Sequence, residues 1–472
     1  MDKLSELYRS VAGCLPESVT PLAGAGSNRR YFLLDGKKRL IGTAGTDVRE
    51  NDAFVYMSAF FAKMGLPVPE VLAVSNDGMV YLQTYAGGES LFDILASARE
   101  SGEYSCRQRK QLKEAVRLLA RFHSAPFAGF DFGKCVPREA MDYRSVMWDL
   151  NYFKYSFLKV AGIAFDEDAL ENDFEKIARM TDGGDSIILR DCQSRNIMVD
   201  EDDNLTFIDF QGARRGNGMY DLVSLLWQAR AALPSALKKE LVEAYITARG
   251  FSSAAADDFR RQLPLFVLLR TLQVLGAYGF RGLIERKEHF VRSIPAAMDN
   301  VREILAGGID GLPELGRVLG MLAADSRFNR RTLVKGELTV KVWSFAYKMG
   351  MPADDSGNGG GYVFDCRAIH NPGRYDEYKP LTGRDSAVIE FLESNGEVQP
   401  FLEHALALVD SSVEKYIKRG FTSLTVAFGC TGGRHRSVYC AEKCARHISE
   451  KFGVRVELCH REQGITEFFE KK

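Results

Sequence analysis

The sequence contains no long uninterrupted apolar run. No stretch approaches the roughly 18 consecutive apolar residues that a membrane-spanning helix needs. The N-terminal segment MDKLSELYRS also lacks the apolar region of a secretory signal peptide. From these two absences we expect a cytoplasmic protein without membrane attachment.

The cysteines show neither disulfide nor metal-site spacing. Nine are present, an odd number, and they form no Cys-x-x-Cys pair and no Cys/His zinc pattern. The formal net charge is −1, so the chain as a whole has no electrostatic attraction to nucleic acid or to anionic membranes. We therefore expect free thiols, and function that resides in local motifs.

The length of 472 residues exceeds what one hydrophobic core usually serves, so several domains are expected. The segment AGGIDGLPELGRVLGMLAADSRFNRR, at 306–331, is predicted to link a domain at 1–305 to a domain at 332–472. In the first domain strand-like runs precede helical periodicities, which predicts an α+β fold with two lobes and a nucleotide cleft. In the second domain strands alternate with helices, which predicts a small α/β domain with a largely parallel sheet.

A polar loop between apolar runs carries the clearest chemical signal. The segment IILRDCQSRNIMV places Asp191 five positions before Asn196, and LTFIDFQGA places Asp209 after a further apolar run. Phosphoryl transfer needs a carboxylate that accepts the proton of the attacking hydroxyl, and oxygen ligands that hold Mg²⁺ against the phosphates. Asp191 suits the first task, whereas Asn196 and Asp209 suit the second. A hairpin turn is the alternative for a lone Asp-x4-Asn, but it leaves the second aspartate unexplained.

A glycine-rich segment near the N-terminus, PLAGAGSNRRYF, is a candidate phosphate flap. Gly24 and Gly26 allow the backbone to approach a triphosphate closely, and donors to its oxygens are offered by Ser27, Asn28 and Arg29. A plain hairpin turn is the alternative interpretation.

The segment YLQTY is predicted to be the hinge between the lobes, where the backbone around Gln83 and Tyr85 would bind the adenine edge. Glu50 opens the first long helix; it either pairs with a phosphate-binding cation or simply suits the helix dipole. Asp221 starts a later helix, where it would brace the polar loop.

Residues 1 to about 305 resemble the aminoglycoside/choline phosphotransferase superfamily through LRDCQSRNIM, IDFQGA and YDLVSLL. GSNRRYF and VPEVL make the segment most similar to the anomeric kinases of N-acetylmuramate and N-acetylglucosamine, which serve peptidoglycan recycling. The resemblance implies a protein-kinase-like fold, ATP and Mg²⁺ as cofactors, and a sugar hydroxyl as the acceptor.

Two positions depart from the superfamily pattern. Arg190 stands where most of these proteins carry glycine before the catalytic aspartate, so it either stabilises phosphate charge or supports the loop. The strand that normally carries the ATP-binding lysine reads RLIGTA and holds none, so Arg29 or Arg30 would bind the phosphates instead. An inactive kinase fold is the alternative.

A second glycine-rich loop, FGCTGGRHRSV, follows an apolar strand and precedes a helix. Gly432 and Gly433 let backbone N–H groups converge at a helix N-terminus, where partial positive charge favours anions. The other predicted anion-binding groups of this loop are Cys430, Thr431, Arg434, His435, Arg436 and Ser437. The alternatives are a tight turn and, from the spacing Cys-x5-Arg, a cysteine phosphatase, although Gly429 replaces the usual histidine.

The segment from about Leu338 to Gly464 resembles the C-terminal domain of RapZ-type RNase adaptor proteins through WSFAYKMGMP, YVFDCRAIHNP, PLTGRD and FGCTGGRHRSVYCAE. This resemblance implies that the glycine-rich loop and Arg367 bind an amino-sugar phosphate. The family also binds RNA, but residues 331–472 hold 20 Lys and Arg against 19 Asp and Glu, without a basic surplus. A local basic patch would suit RNA or a small phosphorylated ligand equally well.

The sequence thus predicts a cytosolic sugar kinase joined to a sugar-phosphate sensor. The alternative from another class is an RNA-binding regulator with an inactive kinase fold.

Overall fold

The computed structural model describes residues 2–22, 29–329, 338–352 and 361–469. The predicted Gly24, Gly26, Ser27 and Asn28 lie outside these residues. The chain divides into two compact units, Met1–Asn329 and Arg330–Lys472.

The first unit opens with a five-stranded antiparallel sheet of spatial order β1-β2-β3-β5-β4. Its strands are β1 (Ser18–Leu22), β2 (Arg30–Asp35), β3 (Leu40–Ala44), β4 (Val71–Val74) and β5 (Val80–Thr84). Helix α1 (Asp2–Ala12) packs on this sheet, and helix α2 (Val48–Lys63) follows β3. Asp47 caps α2 by accepting the N–H of Arg49, which fixes the start of the helix.

The rest of the first unit is mainly helical. Its longer helices are α5 (Cys106–His123), α6 (Tyr143–Phe153), α8 (Glu167–Thr181), α9 (Met219–Leu226), α10 (Ser235–Arg249), α11 (Ser253–Tyr278), α13 (Ile294–Gly307) and α14 (Pro313–Ala324). Its short helices are α3 (Leu91–Ile94), α4 (Ala96–Ser101), α7 (Lys159–Ala161), α12 (Glu288–Val291) and α15 (Ser326–Asn329). Five short strands complete it: β6 (Glu89–Ser90), β7 (Ser186–Ile188), β8 (Ile197–Val199), β9 (Leu205–Phe207) and β10 (Arg214–Gly216). A strand-rich lobe therefore precedes a helical lobe, as predicted.

The predicted linker at 306–331 contains helices of the first unit. Helices α14 and α15 lie in this stretch, and their buried side chains belong to the main core of the unit. The apolar residues of the segment that take part are Leu312, Leu315, Val318, Leu319, Leu322 and Phe328. The glycines that suggested a connector do not prevent helix formation, because the apolar spacing buries one face. The first unit extends to Asn329 rather than ending near residue 305.

One apolar stretch passes the length and composition test for crossing a membrane. Helix α11 and the π-turn after it form this stretch, Ser253–Ile284, which differs from our expectation from the sequence. However, 61% of its most apolar window is buried inside the unit. The helix packs against α6, α9 and α13, which is the environment of a core helix.

The second unit contains a five-stranded sheet of spatial order β12-β13-β11-β14-β15. The strands are β11 (Thr339–Ala346), β12 (Gly361–Asp365), β13 (Ser423–Cys430), β14 (Arg455–His460) and β15 (Ile465–Phe469). The first four run parallel, and β15 pairs antiparallel with β14. Helices α16 (Ser386–Ser394), α17 (Val398–Arg419) and α18 (Arg436–Phe452) complete the unit. The predicted fold class is confirmed for both parts of the chain.

Candidate functional site

The side chain of Asn196 joins the two aspartates selected from the sequence. Asn196 ends a 3-10 turn just before β8, and its Nδ2 atom donates to the main-chain carbonyl of Asp191 at 2.8 Å. The same atom donates to Oδ2 of Asp209 at 3.2 Å. The fold therefore brings the three residues together at one place.

The carboxylate of Asp191 is the accessible group of this cluster. Its side chain is 55% exposed, whereas that of neighbouring Arg270, on α11, is 5% exposed. Oδ1 of Asp191 lies 3.5 Å from Nη2 of Arg270, and Arg270 also donates to the hydroxyl of Tyr220 at 3.3 Å. Asp191 thus presents a carboxylate that a buried guanidinium orients.

Asp209 lies in a left-handed backbone turn. Its φ is +62°, which is uncommon for a residue other than glycine. Its Oδ1 atom accepts a hydrogen bond from Nε2 of Gln211 at 2.9 Å. Burial raises the pKa of Asp209 and the charge of Asp191 adds to that rise, while the bond from Gln211 lowers it. A cation at this position would offset both unfavourable effects.

Phe210 anchors the Asp209 turn to the strand-rich lobe. It is buried, and its ring stacks on Phe54 of α2 with 4.7 Å between centroids. It also meets the ring of Phe61 edge-on at 5.5 Å. The position of Asp209 is therefore coupled to that of helix α2.

Asp221 braces the loop that carries Asp191. Buried on α9, it accepts the backbone N–H groups of Leu189 and of Arg190, the latter at 2.8 Å. His123 contacts the same carboxylate at 3.2 Å through Nε2 and contacts Tyr245 through Nδ1. Burial lowers the pKa of His123, which favours the neutral ring.

The side chain of Arg190 supports the loop. Its backbone is left-handed, with φ +70°, and Nη2 contacts both carboxylate oxygens of Asp149, at 2.9 and 3.1 Å. Burial raises the pKa of Asp149, and the charges of Arg190 and Arg270 oppose that rise. Of the two roles considered for Arg190, this contact favours loop support.

An arginine and a glutamate form an ion pair in the strand-rich lobe. Arg29, immediately before β2, is buried and lies 3.3 Å from Oε2 of Glu50 on α2. The paired carboxylate is 44% exposed. Of the two interpretations of Glu50, pairing with a cation agrees with this contact. Protein kinases place a lysine–glutamate pair in the same lobe to hold nucleotide phosphates.

The predicted hinge residues lie at the end of β5 and just after it. Gln83 is buried in β5, and its Oε1 atom has no hydrogen-bond partner among the residues that the structure describes. Tyr85 follows the strand, with the guanidinium of Arg39 5.5 Å from its ring centroid. At Gly87, with φ +117°, an added Cβ would lie 2.4 Å from the carbonyl oxygen of Val199, so the chain passes close to β8 here. The segment links the two lobes.

A cavity of about 170 Å³ opens beside Asp191 in the helical lobe. It is lined by residues of the loop that carries Asp191, of α9, of α11 and of the segment near α12. Three arginines, Arg195, Arg230 and Arg270, are among these lining residues. Sequence reasoning missed them, although Arg195 directly precedes Asn196 in the motif.

The oxygen donors of Asn196 and Asp209 suit a hard cation. Mg²⁺ is usually bound by one or two protein carboxylates, and phosphates and waters complete its octahedron. Among the described residues, no group of three or more His, Cys, Asp or Glu forms a complete metal cage. One carboxylate and one amide therefore fit an ion that shares its ligands with a triphosphate.

In the second unit the predicted glycine-rich loop connects β13 to α18. The thiol of Cys430 accepts the N–H of Gly433 at 3.2 Å and lies 3.2 Å from the hydroxyl of Ser437. Gly433 has φ +65°, and a Cβ there would come within 2.8 Å of the backbone nitrogen of Ala346. Thr431 and Gly432 are exposed at the tip.

The basic side chains of this loop bind main-chain carbonyls. Arg434 donates to the carbonyls of residues 380 and 381, and His435 contacts that of residue 378. Arg436 donates to the carbonyls of residues 367 and 369, each at 2.8 Å. Burial lowers the pKa of His435, which keeps the ring neutral. We predicted anion contacts for these side chains, but their contacts instead hold a neighbouring loop. The Arg436 contacts also disfavour a phosphatase-type clamp.

Arg367 pairs with a neighbouring acid. It contacts both carboxylate oxygens of Asp365, and its guanidinium lies 4.2 Å from the ring centroid of Tyr347. Of the predicted anion-binding residues in this loop, Thr431, Gly432 and Arg434 are exposed.

Fold and site together define a kinase-like phosphotransferase. Residues 18–259 match the family described as "Phosphotransferase enzyme family", and the chain belongs to that family. Residues 338–464 match the RapZ C-terminal domain, so the chain joins the two.

Individual relatives match one part of the chain at a time. A "nucleotide-binding protein" of Xanthomonas axonopodis is 43% identical over 126 residues, which cover 27% of this chain and 43% of the relative. The chain thus spans less than half the length of this curated relative. The choline kinase of Cryptosporidium parvum is 12% identical, covering 68% of this chain and 99% of its own, with a TM-score of 0.46. The choline kinase LicA of Streptococcus pneumoniae is 12% identical, covering 65% and 98%, with a TM-score of 0.44.

Proposed function

We propose that the first unit transfers the γ-phosphoryl group of ATP to a hydroxyl group of a sugar. The observation that carries this proposal is the junction at Asn196, which links the Asp191 loop to the Asp209 carboxylate. The family match supports phosphoryl transfer in general. That the acceptor is a sugar is the more specific part of our proposal.

In this reaction Asp191 accepts the proton of the attacking hydroxyl. The hydroxyl oxygen forms a bond to the γ-phosphorus while the bond from that phosphorus to the β–γ bridging oxygen breaks, releasing ADP. Arg270 orients the base, and Asp221 fixes the loop through two backbone N–H groups. Arg29, held by Glu50, takes the role of the missing lysine toward the phosphates.

Asn196 and Asp209 would hold Mg²⁺. When bound, the ion neutralises charge on the β- and γ-phosphates. The raised pKa of Asp209 has burial as its main cause, so the side chain gains from a neighbouring cation. Gln83 in β5 and Tyr85 just after it would bind the adenine edge through the backbone.

We infer that the acceptor is an N-acetylated amino sugar, phosphorylated at its anomeric hydroxyl. The motifs GSNRRYF and VPEVL support this choice. The cavity beside Asp191, about 170 Å³, has the size for a small ligand rather than a macromolecule. We propose that the protein acts in the cytoplasm, because ATP is its substrate and its nine cysteines are free thiols.

The test is a panel of acceptors with ATP and Mg²⁺. It includes N-acetylmuramate, N-acetylglucosamine, glucosamine and galactosamine, with the phosphorylated position determined by NMR. We expect ADP release that depends on an N-acetylated sugar and a phosphate on its anomeric carbon. ATP binding without turnover on any acceptor would instead favour a regulator with an inactive kinase fold.

For the second unit we propose an amino-sugar phosphate as ligand, bound by the backbone at Thr431 and Gly432. The helix N-terminus of α18 behind that turn favours an anion. Calorimetry of the full chain with glucosamine 6-phosphate tests this. Binding that Gly432→Pro abolishes would support it, because the substitution removes a backbone N–H at the tip. Preferential binding of RNA at physiological salt would contradict it.

A further inference from the structure

A second cavity, of about 440 Å³, opens in the helical lobe beside the residues that brace the Asp191 loop. It is lined by residues at the end of α10, in the first turns of α11, at the start of α9 and around the start of β7. The proposed phosphoryl transfer uses none of the side chains that give this cavity its chemistry. They are Asp185, Ser186, Tyr245, Arg249, Phe251 and Phe259.

The floor of this second cavity contacts His123, a member of the brace. The hydroxyl of Tyr245 lies 2.7 Å from Nδ1 of His123, and Oγ of Ser186 lies 3.2 Å from the carbonyl oxygen of His123. At Gly218, which also lines the cavity, an added Cβ would lie 2.6 Å from the same ring nitrogen. The second cavity therefore lies against the support of the Asp191 loop.

A directed chain of hydrogen bonds runs from the second cavity toward that loop. Since the Asp221 carboxylate accepts, Nε2 of the neutral His123 ring donates to it, and Nδ1 accepts from the Tyr245 hydroxyl. Burial raises the pKa of Tyr245, so the hydroxyl keeps its proton. Nη1 of Arg249 in turn donates to that hydroxyl at 3.4 Å. Arg249 is therefore the end of the chain that a ligand in the cavity meets.

A cation and an acid face the second cavity without contacting each other. In the part of the chain that the structure describes, neither Arg249 nor Asp185 forms an ion pair. Both instead contact the Ser186 hydroxyl, whose Oγ lies 3.2 Å from Nη1 of Arg249 and 3.2 Å from Oδ1 of Asp185. Asp258, another acid of the lining, is already paired with Arg261. Arg249 and Asp185 thus offer a ligand one charge of each sign.

Aromatic rings line the cavity beside these charges. The ring centroids of Phe251 and Phe259 lie 5.6 Å apart, and that of Phe259 lies 5.5 Å from that of Tyr245. The guanidinium carbon of Arg249 lies 5.1 Å from the ring centroid of Phe251. An apolar surface with a few convergent polar groups is the usual lining of a small-molecule site.

We propose that the second cavity binds a small zwitterion of the α-amino acid class with an apolar side chain. Its carboxylate contacts Arg249, its ammonium group contacts Asp185, and its side chain packs on the aromatic rings. The carboxylate competes with the Tyr245 hydroxyl for Arg249. Because a hydroxyl that accepts a hydrogen bond donates the next one more strongly, ligand binding loosens the brace of the Asp191 loop. The binding site is independent of the proposed kinase function, whereas an effect on turnover rests on it.

Calorimetry of the full chain with phenylalanine and two analogues tests the ligand class. Phenethylamine lacks the carboxylate, and phenylpropionate lacks the ammonium group. We expect a Kd roughly tenfold above that of phenylalanine for phenethylamine, which loses the contact to half-buried Arg249, and roughly threefold above it for phenylpropionate, which loses the contact to exposed Asp185. An analogue that binds as tightly as phenylalanine, or no binding of phenylalanine at millimolar concentration, would overturn the inference.

Charge-neutral variants assign the binding to this cavity. We expect the Kd of phenylalanine to rise roughly tenfold in Arg249→Gln and roughly threefold in Asp185→Asn. The control is Lys239→Gln, which removes an exposed cation of α10 outside the cavity and should keep the wild-type Kd. Wild-type affinity in either cavity variant, with the unfolding temperature retained, would overturn the site. Asp185 is exposed, so its substitution leaves the fold intact.

Hydrogen exchange of the Leu189 and Arg190 amides tests the coupling without turnover, because Asp221 accepts both N–H groups. We expect phenylalanine to speed their exchange in the wild-type chain but not in Tyr245→Phe, which lacks the hydroxyl of the chain. Unchanged or slower exchange with phenylalanine bound, or equal acceleration in Tyr245→Phe, would overturn the coupling.

Binding and turnover together separate this inference from the proposed function. Phenylalanine binding that weakens in Arg249→Gln, without turnover of any acceptor sugar, would support the second site and contradict the kinase. Turnover without phenylalanine binding would support the kinase and overturn the second site. Absence of both would overturn both.

Discussion

We propose that the Arg29–Glu50 ion pair serves this chain as the lysine–glutamate pair serves protein kinases. The guanidinium belongs to the segment before β2, whereas the lysine of protein kinases lies on a later strand. A buried cation at this position explains how the lobe can bind phosphates although β3 contains no lysine. Glu50 lies in the first turn of helix α2, so its ion pair fixes the orientation of the Arg29 guanidinium.

We therefore predict that Glu50→Gln weakens nucleotide binding. Loss of a partly exposed ion pair costs about 1 kcal/mol, which corresponds to a roughly fivefold increase in the Kd of an ATP analogue. Calorimetry measures this, with Asp52→Asn as control, since Asp52 is an exposed acid on the same helix. Wild-type affinity in Glu50→Gln would show that the Arg29–Glu50 ion pair does not contribute to phosphate binding.

The sequence predicts which polar residues come together where they are close to one another along the chain. Asp191, Asn196 and Asp209 follow from spacing, since β8 and β9 form a hairpin that returns the chain to its start. Arg270 does not follow from spacing, because helix α11 brings it from a distant part of the chain. The basic residues 434–436 suggested anion contacts, but composition does not reveal that nearby carbonyls occupy them.

A buried ionic contact at Glu314 holds helix α14 in place. Oε1 of Glu314 accepts the N–H of Asp166, the N-cap of α8, at 2.7 Å and contacts Nη2 of Arg317 at 2.6 Å. Asp173 of α8 accepts the N–H of Leu315 at 3.0 Å. The N-terminal end of α14 is thus joined to the N-cap and to the middle of α8.

Glu314→Gln should destabilise the chain by about 1–2 kcal/mol at neutral pH, since Glu314 is 10% exposed on its side chain. The hydrogen bond from Arg317 lowers the pKa of Glu314 to about 2. A carboxylate with a lowered pKa stabilises the fold at pH values above its pKa in the unfolded chain, which is near 4.5. This stabilisation is lost as the pH falls toward 2. The difference in unfolding free energy should thus shrink between pH 5 and about 2.

Denaturant unfolding followed by circular dichroism measures this difference. The control is Glu175→Gln on α8, whose exposed pair with Arg179 should contribute little. A pH-independent difference would show that the charge of Glu314 does not stabilise the contact.

Element boundaries were less predictable than element types. The stretch 288–307 forms two helices, α12 and α13, because Pro295 lies in the first turn of α13 and suits a new helix start. The helix predicted from Asp221 starts at Met219 and ends at Leu226. The alternation of strands and helices in the second unit is confirmed, and it was predictable because the buried parallel strands are nearly continuous apolar runs.

At the scale of the molecule, helices α14 and α15 decide where the first unit ends. Six buried apolar residues of the segment 306–329 belong to the main core. Each contributes roughly 1.5–3 kcal/mol on burial, and together they rival the roughly 5–15 kcal/mol of net stability of a typical domain. We predict that a fragment 1–329 unfolds cooperatively and that a fragment 1–305 does not.

The two fragments can be compared by calorimetry, which measures cooperative unfolding, and by the binding of a hydrophobic dye. The shorter one should bind the dye in buffer, because the faces that cover the core are missing. Equal unfolding temperatures of the two would place the boundary near residue 305, as the sequence alone suggested.

The central claim is that Asp191 is the base of a phosphotransferase. Its most direct test is ADP release by the full chain in the presence of the best acceptor sugar, for Asp191→Asn against Asp202→Asn, an exposed aspartate in the turn before β9. We predict a loss of kcat of roughly 10²- to 10⁴-fold in Asp191→Asn, with unchanged unfolding temperature, and wild-type kcat in Asp202→Asn. Full turnover by a folded Asp191→Asn protein would contradict the account.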